Sequence, residues 1–211
     1  MQWDQRPQPA SAQALGAWDW PRTFMARGAA PLAMEHLKRK PVAERAGRLH
    51  CLVLDCSASM VANGALARAK GVLLGLMQEA YQRREHVALI CFGGAGVQLR
   101  VPPAKAVAWN DDWIAAIGGG GGTPLAAALR RAQELVADGA VRPGFNDAWL
   151  WLLTDARTRE QPERPAHMQQ AWIIDFEHAR VPLARARALA AQWDAHYVQA
   201  PLPAARSHST P

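Results

Sequence analysis

The sequence predicts a doubly wound α/β domain, a mostly parallel sheet with helices on both faces. Three observations predict it. Short runs that are apolar at nearly every position recur along the chain, stretches with helical spacing separate them, and polar oxygen-bearing residues follow directly where two of the runs end. No repeat of fixed period is present.

The elements follow in order. Leu49 to Leu54 (LHCLVL) is too brief for a helix and reads as a buried strand. Asn63 to Gln82 places Leu66, Ala69, Leu73, Leu76, Met77 and Ala80 at helical spacing. His86 to Phe92 (HVALICF) is a second buried strand. Val97 to Val101 pairs beside it, with Pro102 and Pro103 expected to stop it. A helix is expected over Trp109 to Ile117 and another from Thr123 to about Asp138. Ala148 to Leu153 (AWLWLL) and Ala171 to Phe176 (AWIIDF) are further buried runs, Leu183 to Trp193 a last helix, and His196 to Gln199 a short final strand. Trp149 and Trp151, two apart, belong on one sheet face, where core packing beneath a helix is the simplest role.

Length and charge bound the function. The 211 residues are 50% hydrophobic and 20% charged, which suits one domain with short extensions: a basic arm over residues 1–46, a domain over 47–200 and a tail over 201–211. Net charge is +6 and the sequence pI about 9.8, which favours acidic partners. The basic residues of the arm form no regular helix face and do not alternate with aromatics, so a solvated leader is expected ahead of nucleic-acid binding through the arm, which stays the second alternative. No apolar run approaches the roughly 20 residues of a membrane span, and the start, MQWDQRPQPASAQ, lacks the layout of a signal peptide. The chain reads as cytoplasmic. Cys51, Cys56 and Cys91 read as reduced core residues, and His50 and His86 as structural or surface residues.

In open α/β sheets ligands bind beyond the carboxyl ends of the strands. The run ending at Leu54 is followed by Asp55, Ser57 and Ser59, the run ending at Leu153 by Thr154 and Asp155, and Thr123 follows the five glycines Gly118 to Gly122. In a straight strand Asp55 and Ser59 would lie about 13 Å apart, and on a helix Ser57 would face away from the other two. Only a curled strand-to-helix junction lets all three converge. A cluster of hard oxygens suits Mg²⁺, or Mn²⁺ as an alternative, rather than zinc, and two carboxylates formally balance a divalent charge.

Three simpler readings compete. Asp55, Ser57 and Ser59 suit helix capping. The glycine run fails as a nucleotide loop, because Thr-Pro follows it and no Lys-Ser or Lys-Thr does. Ser57 and Cys56 lack the Gly-x-Ser-x-Gly surroundings of a nucleophile, so no catalytic role is assigned.

The loop Asp55-x-Ser57-x-Ser59, the glycine loop ending in Thr123-Pro124-Leu125, and Leu153-Thr154-Asp155 resemble the metal-ion-dependent adhesion site of von Willebrand factor A domains. More narrowly, LVLDCSASM, AKGVLLGLMQEAYQRREHVALICF, GGGGGTPLAAAL and LLTDARTRE resemble the A domain of the D-type subunits of magnesium chelatases and their cobaltochelatase relatives. The resemblance covers about Leu49 to Gln199. It implies Mg²⁺ held by Ser57, Ser59 and Thr123, with Asp55 and Asp155 direct or through water, and a partner's Asp or Glu completing the sphere. It implies no catalysis by this chain alone. Its partners would be an AAA+ ATPase, chelatase I-like or of the MoxR type, and a large chelatase subunit that inserts a metal into a tetrapyrrole.

Overall fold

In a computed structural model, which describes residues 20–28, 31, 33–38, 47–107, 117–140 and 145–201, the apolar runs become six strands. In chain order the elements are α1 (Trp20–Arg27), β1 (Gly47–Asp55), α2 (Ala58–Ala62), α3 (Ala65–Gln82), β2 (His86–Gly93), β3 (Gly96–Lys105), α4 (Leu125–Ala140), β4 (Phe145–Thr154), β5 (Gln170–Asp175), α5 (Arg185–Trp193) and β6 (His196–Gln199). The expected helix over Trp109 to Ile117 lies outside the described residues except for Ile117, which is buried and not helical. Most of the arm and all of the tail beyond Pro201 also lie outside them.

The chain divides into two compact units, Met1–Arg45 and Ala46–Pro211. In the first, α1 and a 3₁₀ turn at Met34–His36 form where the sequence has no sustained periodicity. The Thr23 hydroxyl ties the two: it accepts the Lys38 N–H at 2.9 Å.

In the second unit the sheet order is β3-β2-β1-β4-β5-β6, with every pair parallel except β2 with β3. This is the doubly wound fold that the two-sided apolar runs predict. Alternate residues of β1 feed opposite layers: Leu49, Cys51 and Val53 join the core beneath α4 and α5, while Leu52 and Leu54 join the core beneath α2 and α3. Among the described residues no helix is long and apolar enough to cross a membrane. The three cysteines are free and buried, as expected.

Two expectations need correction. The helix expected from Asn63 to Gln82 is α3, which starts two residues later, after the left-handed Gly64 (φ 62°), and it is preceded by the short helix α2, which was not expected. Pro102 and Pro103 do not stop the strand at Val101, since β3 runs to Lys105. It is the sheet edge, where a missing N–H faces away from the ladder, and the prolines lie in a register shift between the pairs Leu89–Val101 and Val87–Ala104.

Trp149 and Trp151 do share a face, and Trp151 stacks on Trp172 with centroids 5.2 Å apart and planes 12° off parallel. Only Trp151 of the two packs against the core under α3. Its Nε1–H donates to Nδ1 of the buried His50 at 3.0 Å, and the other ring nitrogen of His50 lies 2.7 Å from Glu85. His50 is therefore a bonded core residue, as the sequence suggests.

Candidate metal centre

β1 lies between β2 and β4. The chain leaves it across one face of the sheet and returns to β4 from the other, so connections diverge beyond its carboxyl end. Leu54 pairs with Leu153, which sets the next residues, Asp55 and Thr154, side by side at that end.

Asp55 is fully buried and both its oxygens are engaged. Oδ1 accepts the Ser57 N–H at 2.8 Å and Oδ2 accepts the Thr154 hydroxyl at 2.5 Å. Ser57 is extended (φ −64°, ψ 166°) and Ser59 lies in the first turn of α2, and this change of direction brings their hydroxyls to 3.2 Å. The curl that convergence demands is therefore present. Capping does not explain it, because Ser57 stands at the N-cap of α2 yet its side chain makes no capping hydrogen bond.

Asp155 follows Thr154 and is also buried. Its Oδ1 accepts the Arg157 N–H at 3.2 Å, while Oδ2 is shielded from solvent and has no hydrogen-bond partner. Burial pushes the Asp55 carboxyl above its ordinary value. The bonds from Thr154 and Ser57 oppose that rise and the charge of Asp155 adds to it.

The glycine loop is sewn to the same junction through its backbone. Gly120 N–H donates to Cys56 C=O at 2.7 Å, Ala58 N–H to Gly121 C=O at 3.1 Å, and Gly94 N–H to Gly120 C=O at 2.5 Å. A Cβ on Gly94 would lie 2.5 Å from the Gly121 Cα, so the two backbones meet where only glycine fits. Thr123, half-buried, follows two residues after Gly121. No hydrogen bond joins its side chain to the other four residues, so of the five candidates it is the one the structure does not tie to the rest.

The donor chemistry fits a small hard cation. Among the described residues no cluster of three His, Cys, Asp or Glu side chains is placed to hold a metal, so a soft or imidazole-rich centre is not built here. Two carboxylates with hydroxyls are, and the Asp155 Oδ2 lacks the partner that a buried charged oxygen requires. Thr154 is the residue sequence reasoning missed. Its position after an apolar run was visible, but its role depends on β4 being the neighbour of β1.

A mostly parallel six-stranded sheet with helices on both faces is the architecture of an A domain. The von Willebrand factor type A domain model matches residues 51–157, and the chain belongs to that family. Within the family it is similar to magnesium chelatase subunits. It is 34% identical over 130 residues to the magnesium-chelatase 67 kDa subunit of Chlorobaculum parvum, covering 62% of this chain and 21% of that one. It is 32% identical over 188 residues to the magnesium-chelatase 60 kDa subunit of Cereibacter sphaeroides, covering 82% and 33%. An uncharacterized protein of Mycobacterium tuberculosis is 32% identical over 185 residues, covering 82% and 29%. The chain thus spans between a fifth and a third of these relatives' lengths. The resemblance drawn from the motifs to D-like chelatase subunits is borne out.

Proposed function

We propose that this chain is a non-catalytic, Mg²⁺-dependent interaction module that couples an AAA+ ATPase to a machine inserting a metal into a tetrapyrrole. The observation that carries it is the convergence of Asp55, Ser57 and Ser59 beside the buried, unpartnered Asp155 Oδ2. Ser57, Ser59, Thr123 and Asp155 would hold the cation, and Asp55 would orient the loop through its bonds to Ser57 N–H and the Thr154 hydroxyl. A bound Mg²⁺ supplies positive charge on which a partner Asp or Glu docks. Chelatase subunits among its relatives support the tetrapyrrole branch. Service to a MoxR-type ATPase in maturing another metalloenzyme is the rival within the same fold.

The test is co-purification of the tagged chain, with Mg²⁺ and then with EDTA, against the AAA+ ATPase and large chelatase subunit from the same genome. Binding in Mg²⁺ alone, lost in a folded Asp55→Ala variant, is the expected result. Equal binding in EDTA, or unchanged affinity in Asp55→Ala, overturns the docking mechanism. Capture of a MoxR-type ATPase without the large chelatase subunit selects the rival.

A further inference from the structure

A cavity of about 410 Å³ opens beside Asp155, between the turn at Asn63 and Gly64, Arg68 of α3, and the segments that follow β4 and β5. Three buried polar atoms without a hydrogen-bond partner belong to residues that line it: Asp155 Oδ2, Glu177 Oε1 and Arg68 Nη1. Asp155 and Glu177 are 3% and 7% exposed, whereas Arg68 is half-buried and only its Nη1 is shielded. Each unpaired atom of this kind is costly to bury.

The two carboxylates are accounted for. Asp155 belongs to the candidate metal centre, where a cation would balance its charge. Glu177 Oε2 accepts the Ala184 N–H at 3.0 Å, and its Oε1 lies 3.9 Å from Arg157 Nε, which offsets its charge. Arg68 has no such match. Its Nη2 donates to the Phe176 C=O at 3.4 Å and the guanidinium lies 5.9 Å from the Phe176 ring centroid, but among the described residues no acid lies within ion-pair reach. A guanidinium cannot shed its proton, so Arg68 Nη1 remains a charged donor facing the cavity with no acceptor, open to a carboxylate that enters it.

We propose that this cavity is a second recognition site beside the metal centre, and that the docking partner is an acidic peptide segment with two neighbouring carboxylates, one for the metal and one for Arg68 Nη1. This rests on the docking reading above and adds the partner's chemistry to it. A single acidic side chain is common on any protein surface, whereas a pair matched to a cation and a guanidinium confers selectivity.

The test titrates the full chain, by nuclear magnetic resonance in saturating Mg²⁺ and in EDTA, with acetylated and amidated pentapeptides carrying one or two glutamates among glutamines. The two-glutamate peptide should bind about tenfold more tightly than the one-glutamate peptide, the factor expected of one charge-assisted hydrogen bond. Arg68→Gln should erase that preference and leave the affinities for Mg²⁺ and for the one-glutamate peptide unchanged. Arg68→Lys, which keeps the charge, should retain part of it. A preference that survives Arg68→Gln, or no preference in the native chain, overturns this site while Mg²⁺-dependent binding of the one-glutamate peptide leaves the docking reading standing. No Mg²⁺-dependent peptide binding at all overturns both.

Discussion

The hydroxyl of Thr154, at the end of β4, donates to Asp55 Oδ2 at 2.5 Å, joining residues 99 positions apart in the chain. Thr154 Oγ1 in turn accepts the Ala156 N–H at 2.8 Å, so Thr154 links the first motif loop to the segment carrying Asp155. Thr154→Val keeps the shape and removes both bonds. We expect a loss of about 1 to 3 kcal/mol in stability from the unpaired buried groups, and at least about tenfold weaker Mg²⁺ binding by calorimetry. Unchanged Mg²⁺ affinity would show that the link does not organise the centre.

The contact between Gly94 and Gly121 predicts a more local failure. In Gly94→Ala the new Cβ would lie 2.6 Å from the Gly120 carbonyl oxygen as well as against the Gly121 Cα, all backbone that moves only if the loop moves. The displacement carries Thr123 with it. Stability should fall by about 1 to 3 kcal/mol, in the range of overpacking, with Mg²⁺ affinity reduced together with it. A melt and a Mg²⁺ titration check the two effects separately.

Asp175, the register partner of Thr154 at the end of β5, predicts a pH dependence of stability. Burial holds its carboxyl above the ordinary 3.8, against the opposing hydrogen bonds from the Glu177 N–H and the Tyr197 hydroxyl. The unfolded chain thus releases this proton at lower pH than the folded chain. The stability contributed by the neutral acid is complete below 3.8 and is lost as pH rises through the folded value. Asp175→Asn should therefore stabilise the protein relative to the native chain near neutrality, and the gain should shrink as pH falls toward 3.8. Urea denaturation across that interval tests the sign.

The three cysteines should differ in reactivity. Cys56 lines a cavity of about 540 Å³ beside the glycine loop, and its thiol is lowered chiefly by the hydrogen bond with Cys91, which is raised in turn. Burial pushes Cys51 up to about 12. Iodoacetamide at about pH 8 should label Cys56 first and leave Cys51 untouched until the chain unfolds. Peptide mapping that finds Cys51 labelled in the folded protein would contradict this.

Removing the Trp151 indole N–H tests the buried aromatic network. Trp151→Phe leaves Nδ1 of His50 without its donor, in a site where His50 is only 7% exposed. A cost of about 1 to 3 kcal/mol is expected, with Mg²⁺ binding unaffected because the group left unpaired, His50 beside Glu85, lies toward the amino end of the strands. A denaturation curve and a titration decide it.

Much of the fold was legible because burial leaves a local trace. Strands covered on both faces must be apolar at nearly every position, so β1, β2, β4 and β5 stood out, as did the buried stripe of α3. The edge strand β3 was misjudged at its prolines, since whether a missing N–H matters depends on which side has a neighbour. The helix α2 was missed because its five residues, Ala58–Ala62, are too few to show a period.

Local chain geometry was enough to specify the kinds of donor and their spacing. Asp55, Ser57 and Ser59 cannot converge in straight strand or helix, and a glycine run permits close backbone approach, so a curled oxygen-lined junction follows from the residues themselves. Which groups complete that junction was settled by the packing of distant segments. Only the placement of β4 beside β1 puts Thr154 on Asp55, leaves Asp155 Oδ2 buried and unpaired, and opens the cavity at Arg68. Periodicity reports whether a residue is buried, whereas strand order is set by contacts between segments about a hundred residues apart, such as the 99 that separate Asp55 from Thr154.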